Sequence, residues 1–410
     1  MSSTISRRHL LRASLAGAAL TPFSPWASLA FGAAPAANAD ANRMVVVVLR
    51  GGMDGLWAVP PVGDPDFAPA RGPLAQFASA PLALDRTFAL HPGLPKLHEM
   101  WGRNELAVLH AVGLPYRDRS HFDAQQVLES GGEKPYQLRT GWLGRALAAG
   151  GDRGVAMNTT VPLVLRGPKE VDNWAPSSMP DPSADLLARL ERVYASDPAL
   201  GAALLRAREL HLGSATGGAI SPGMAGGDNM AGPERGPLTA LTRKAAEFLI
   251  QPKGPQVAVL EMNGWDSHAN LTAPKSAYVN NLRLLDDNLA LLRELLDAPG
   301  ANGTWKRTVV VVATEFGREV AINGTNGSDH GTGGAAFVLG GAVKGGKVYA
   351  DWPGLAKKDR YEGRDLRITT DLRGVFKGLL ADHLQVAGAA LNRDVFPGTD
   401  GMKGLDLLRA

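Results

Sequence analysis

The stretch MVVVVLRGGMDGLW, residues 44–57, decides the fold. Apolar residues fill positions 44–49 without a polar break and then meet Arg-Gly-Gly-Met-Asp-Gly. A Val-rich run with no alternation suits a strand buried on both faces, as in a parallel sheet covered by helices. The turn that ends it carries one acid, Asp54. Alone, that acid is either the N-cap of a following helix or a charge held over a site.

Similar runs recur at Leu106–His110, Val161–Leu165, Gln256–Met262, Thr308–Ala313 and Ala335–Leu339. Helical spacing lies between them. In Lys275–Asp297, Leu282, Leu285, Leu289, Leu292 and Leu296 form one apolar stripe, stopped by Pro299-Gly300. Asp181–Leu210, with Asp181 and Asp197 as plausible helix starts, and Asp371–Leu384 read as further helical stretches. Strand and helix in alternation predict an α/β fold, a three-layer α/β/α sandwich with a mostly parallel sheet. Residues 213–236, rich in Gly, Met, Ser and Pro, break the pattern and read as a flexible loop or lid.

The amino terminus reads as an address. Ser6-Arg7-Arg8-His9-Leu10-Leu11 is a twin-arginine pattern, followed by a mildly apolar run and by Ala37-Asn38-Ala39, an A-x-A cleavage site. The expectation is a twin-arginine export signal over residues 1–39, one domain over 40–410, and a periplasmic or extracellular location. Neither the leader nor any later segment has the roughly 20 strongly apolar residues of a membrane span. The leader holds three of the 43 basic residues and none of the 40 acids, so the mature chain is formally neutral. No electrostatic case remains for a nucleic-acid partner. Cysteine is absent, which excludes disulfides and Cys-ligated zinc or iron–sulfur centres and leaves Asp, Glu and His as metal ligands.

Ligands in open α/β sheets bind beyond the carboxyl ends of the strands. Asp54 follows the first run, and Ser120, His121 and Asp123 follow the second. Asp266 and His268 lie in NGWDSH after Gln256–Met262. Glu315 and Arg318 lie in TEFGR after Thr308–Ala313, and Asp329 and His330 come later in the same loop. Each piece also has an ordinary reading. Asp266 and His268 suit a turn, Glu315 suits a partner for Arg318, and Ser120 suits a helix cap. Together they are carboxylates and imidazoles of the kind that bind divalent metals. The remaining histidines, His91, His98, His110, His211 and His383, have no acidic or glycine-rich frame and read as packing or surface residues. No dinucleotide fingerprint, P-loop, H-E-x-x-H or G-x-S-x-G elbow is present.

The leader, LRGGMDGL, RSHFDAQ, GWLGR, NGWDSH, ATEFGR and SDHG, in that order, resemble the secreted bacterial family known as domain of unknown function 1501. That family is similar in fold to the alkaline phosphatase and sulfatase superfamily. The resemblance implies one or two divalent metals (zinc, manganese, magnesium or calcium) above the sheet. It places Asp54, Asp266, His268, Asp329 and His330 as ligands, with Glu315 as an alternative to the Asp329–His330 pair. Ser120 matches the nucleophile position, and Arg318 or Arg145 would clamp an anionic ester. Without cysteine no formylglycine can form, so the resemblance implies phosphate esters ahead of sulfate esters. The rival reading is a catalytically silent exported protein that binds an envelope polymer or a second secreted protein.

Overall fold

The computed structural model describes residues 41–176, 182–215, 237–273 and 275–409, with only the backbone of 209–215. The proposed export signal over 1–39 and positions 216–236 of the proposed lid lie outside the described residues. Residues 213–215 are the last turn of the helix Pro198–Ala215.

The strands are β1 (Arg43–Leu49), β2 (Leu82–Ala83), β3 (Ala89–Leu90), β4 (Leu106–Gly113), β5 (Gly154–Ala156), β6 (Asp172–Asn173), β7 (Val257–Met262), β8 (Thr308–Thr314), β9 (Gly334–Leu339), β10 (Lys347–Tyr349) and β11 (Thr370–Asp371). Nine of them form one sheet in the order β10-β4-β9-β8-β1-β7-β5-β6, with β11 also pairing β4. β2 and β3 make a separate antiparallel pair.

β1 runs parallel to both neighbours, with Val46 opposite Val259 of β7 and Val311 of β8. Its side chains alternate between two cores, as the two-residue period of a strand requires. Val45, Val47 and Leu49 pack in the core that holds Leu282, Leu285, Leu289, Leu292 and Leu296. Met44, Val46 and Val48 pack on the other face with Val127, Leu143, Leu147, Val375 and Leu379. This is the expected three-layer sandwich. The leucine stripe lies on the helix Ala277–Asp297, whose first turn is capped by Ser276 through a 3.2 Å bond from the Val279 N–H. Each buried leucine of that stripe stabilises the fold by about 2 kcal/mol.

One local expectation changes. Val161–Leu165 is not a strand. Leu163–Leu165 forms a short 3₁₀ turn after Pro162, and the Val164 N–H is taken by the Glu129 carboxylate at 3.0 Å instead of a neighbouring strand. The helical stretch over 181–210 is two helices, Ala184–Tyr194 and Pro198–Ala215, the second beginning directly after Asp197.

One strand of the main sheet runs against the rest: β9 is antiparallel to both β8 and β4. A parallel return would need a crossover of a dozen or more residues, usually a helix. The segment between β8 and β9 contains no helix, so the chain leaves the carboxyl end of β8 and comes straight back. The loop it forms carries Glu315, Arg318, Asp329 and His330 above the ends of β1, β4 and β7.

Candidate metal centre

The loops after β4, β7 and β8 bring together His121, Asp266 and His330, whose ligand atoms all lie within 4.8 Å of one another. The Nε2 atoms of His121 and His330 are 3.0 Å apart. Asp266 Oδ1 lies 3.2 Å from His330 Nε2 and 3.4 Å from His121 Nε2. His268 borders this triad, with its Nε2 3.0 Å from His330 Nε2 and 2.9 Å from Asp266 Oδ1.

The outer nitrogen of each ring fixes the tautomer. His330 Nδ1 lies 3.0 Å from the Arg119 carbonyl, which can only accept, so Nδ1 carries the proton. His121 Nδ1 donates to Glu315 Oε1 at 2.8 Å, and His268 Nδ1 donates to Asp329 Oδ1 at 2.9 Å. In the neutral rings every Nε2 is then left with a lone pair facing the others. Such facing lone pairs repel unless a proton or a cation lies between them. Ligands about 2.0–2.1 Å from a tetrahedral zinc ion stand about 3.3 Å from each other, close to the triad's own spacing. The outer hydrogen bonds are also those that orient imidazole ligands in metal sites. The donor set fits a divalent metal.

The charges agree with that use. Burial works to raise the Asp266 carboxyl, but the Arg318 guanidinium and the nearby His121 and His268 outweigh it and hold it well below the usual carboxylate range. Burial also opposes ionisation of Glu315, yet hydrogen bonds from His121, Gln125 and Gly51 keep its pKa below the ordinary value. The Asp329 carboxyl is lowered first by its hydrogen bond with His268, then by one with Asn323. Burial, Arg318 and His121 lower the His330 imidazole, so it is neutral at neutral pH. His121 is raised, chiefly by Glu315.

The twin glycines of the opening stretch support this site from below. Gly51 has φ +120°, and a β-carbon there would come within 2.5 Å of the Asp266 nitrogen. At Gly52, with φ +65°, it would meet the Phe316 ring at 2.7 Å. The Gly51 N–H donates to Glu315 Oε1 at 2.8 Å. Phe316 in turn packs against two of the imidazole rings, 4.7 Å from His121 and 5.1 Å from His330 between centroids.

The structure sorts the expected residues into three groups. Asp266 and His330 converge, with His268 beside them. Asp329 and Glu315 stand one step back and hold histidines by their outer nitrogens. Asp54 is elsewhere. It N-caps the short helix Gly55–Ala58 through the Trp57 N–H at 3.2 Å, and its other oxygen pairs with Arg71 at 2.5 Å. Both side chains of that pair are almost fully buried, so the carboxylate is committed to the cap and the cation.

Neither expected arginine is available to clamp a substrate. Arg318 is 1% exposed and donates to the carbonyls of Gly51, Gly52, Trp265 and Ser328 and to Asp266 Oδ1. Arg145 brackets backbone as well, donating to the carbonyls of Ser130, Thr140, Asp394 and Val395. Burial lowers its pKa to about 10. Ser120 occupies the N-cap position of the helix His121–Ser130 without a side-chain capping bond, and its hydroxyl lies beside the Tyr116 phenol.

His121 is not among the ligands that the family resemblance implies. Its position directly beyond a strand end was the available signal. Gln125, one turn further along the same helix, gave none. It links Arg50 to Glu315 through bonds of 3.0 Å on each side. The residues set aside as packing histidines behave so where their side chains are described. His91, His110 and His383 are buried and hydrogen-bonded within the protein.

The fold and this cluster define a class: an α/β/α sandwich with a histidine- and carboxylate-lined centre at the carboxyl edge of its sheet. The chain belongs to the family described as Protein of unknown function (DUF1501), whose model matches residues 101–395. No curated protein matches the sequence. Among solved structures the chain is similar to the PsFucS1 sulfatase from Pseudoalteromonas sp., at 13% identity over 89% of this chain and 71% of that one, with a TM-score of 0.42. It is similar to the phosphonate monoester hydrolase of Agrobacterium radiobacter at 11% identity, over 84% and 74% of the two chains, with a TM-score of 0.38. The C-terminal periplasmic domain of EcEptC from Escherichia coli, in complex with Zn, is 12% identical over 74% of each chain, with a TM-score of 0.34.

Proposed function

We propose that the chain is an exported metal-dependent hydrolase of anionic esters, phosphate ahead of sulfate, with one domain over 40–410 behind a twin-arginine signal over 1–39. The observation that carries the proposal is the tautomer pattern. Acceptors pin the Nδ1 of His121, His268 and His330, and the Nε2 atoms meet around Asp266 Oδ1. His121, Asp266 and His330 hold a divalent metal, and His268 completes or borders the set. A metal bound there supplies Lewis acidity and neutralises charge on an anionic ester.

The chain's own residues do the rest. Glu315 and Asp329 keep two imidazoles in the ligating tautomer. Arg318 holds Asp266 ionised and ties the loops after β1, β7 and β8 to one guanidinium. Ser120, next to a ligand and at the start of a ten-residue helix, is the proposed nucleophile, where free N–H groups favour an oxyanion. The test is metal analysis of the purified protein with assays on phosphate monoesters, phosphodiesters and sulfate esters. His330→Ala and Asp266→Ala should lose metal and turnover together, while Ser120→Ala should lose turnover and keep metal. Wild-type protein that takes up no divalent metal overturns the proposal.

One observation favours a second reading, an exported protein that binds an envelope polymer or a secreted partner without turnover. Both arginines expected to grip an anion are saturated by protein groups. A stoichiometric partner recovered from periplasm, with no turnover by metal-loaded protein, would decide for it.

A further inference from the structure

Two of the three imidazoles are oriented by carboxylates, but His330 is oriented by a peptide carbonyl, that of Arg119. A carbonyl points where its backbone points. Arg119 has φ +61°, the left-handed region that β-carbon sterics disfavour for any residue but glycine. Something must hold it there. Its guanidinium Nε donates at 2.8 Å to Oδ2 of Asp365, a carboxylate with no exposed surface. Nη2 donates at 2.5 Å to Glu362 Oε2. Asp365 closes a tight turn, Tyr361–Asp365, whose Arg364 donates to the His330 backbone carbonyl at 2.9 Å. The YEGRD turn therefore grips His330 twice, directly through Arg364 and indirectly through Asp365 and the Arg119 backbone.

Resting on the metal-site reading above, we propose that Asp365 and Arg119 are positioning residues for the ligand His330. The ion pair with the buried Asp365 holds residue 119 in the left-handed conformation, and that conformation aims its carbonyl at Nδ1. The side chain of Arg119 then matters for the dihedral it enforces as well as for its charge. Glycine adopts positive φ without steric cost, whereas alanine does not. Glycine at this position should thus preserve much of what alanine loses.

The experiment is a cobalt(II) titration followed by the visible absorption of the bound ion, on the mature chain and on Arg119→Ala, Arg119→Gly, Asp365→Asn and His330→Ala. Wild-type protein should bind cobalt and His330→Ala should not. Arg119→Ala and Asp365→Asn should bind about 10–100-fold more weakly, the usual cost of losing an outer partner of a ligating histidine, with shifted bands. Arg119→Gly should lie between wild type and Arg119→Ala, with a spectrum close to wild type. Equal losses for glycine and alanine would overturn the proposal, because charge alone would then account for them. Unchanged affinity in all three variants, beside a binding wild type, would overturn it while leaving the metal site standing. No cobalt binding by wild type would overturn both. If Asp365→Asn fails to fold, the alanine–glycine comparison decides by itself.

Discussion

Replacing Glu315 by Gln separates the charge behind His121 from the shape of the site. Glu315 is buried, and its Oε1 accepts from Gly51 N, His121 Nδ1 and Gln125 Nε2 at 2.8, 2.8 and 3.0 Å. Its Oε2 accepts from the Thr314 hydroxyl at 2.9 Å. An amide oxygen can keep the first three bonds. The amide nitrogen then faces Thr314 Oγ1, which accepts it beside the Met53 N–H and turns its one proton to the Leu49 carbonyl, 2.9 Å away. Geometry is conserved and only the charge goes. A charge-assisted bond is about twice as strong as a neutral one near 1 kcal/mol, so His121 loses about 1–1.5 kcal/mol of support in its ligating tautomer. That corresponds to about a tenfold weaker metal dissociation constant, read by competition with a chromophoric chelator for zinc and for manganese at pH 7.5. Unchanged affinity in a folded variant would refute the claim that Glu315 tunes His121. Loss of the native circular dichroism spectrum would refute the claim that Thr314 absorbs the amide.

Other consequences are equally open to measurement. His110 has no exposed surface; its Nε2 donates to the Val59 carbonyl and its Nδ1 accepts from the Ala111 N–H, and burial pushes it down to about 4. The unfolded histidine takes a proton below about 6.5 while the folded one does not, so this stability is full above that pH and falls as pH drops toward 4. Urea unfolding should show the gap between wild type and His110→Gln narrowing by about 2–3 kcal/mol from pH 7.5 to pH 4.5; a constant gap would refute it. Asp54→Asn breaks the buried pair with Arg71 and should lower unfolding stability by about 3–5 kcal/mol. Metal stoichiometry per folded molecule should stay the same, and its loss would restore Asp54 to the site. Arg145→Met strands the carbonyls of Ser130, Thr140, Asp394 and Val395, so it too should act on stability, by several kcal/mol at about 1–3 for each orphaned group, without altering metal affinity.

What could be read from the sequence was whatever depends on local pattern. β1, β4, β7 and β8 announced themselves as Val-rich runs because strands buried on both faces need no polar alternation. Asp266 and His330 were legible because they follow such runs. The fate of Asp54 was not, since it is set by Arg71, an unremarkable residue of APARG that the fold brings onto it. The saturation of Arg318 was hidden for a different reason: four of its acceptors are peptide carbonyls, which leave no trace in side-chain identity. The YEGRD turn carries no glycine-acid-histidine frame of its own and gains meaning only from what it touches. β5 and β6, three and two residues long, are too short to register as periodic signals.

The spacing of the proposed ligands along the chain has a thermodynamic corollary. His121 and His330 are 209 residues apart, and Asp266 and His330 are 64 apart, on loops that follow different strands. No fragment short of the β4, β7, β8 and β9 assembly can present the triad, so an ion has no partial version of the site to prefer. Occupancy is therefore coupled to completion of the whole sheet. Saturating metal should raise the cooperative unfolding transition as one unit, by RT ln(1 + [L]/Kd), or about 2.7 kcal/mol at a hundredfold excess over Kd. Metal uptake then doubles as a readout of finished folding.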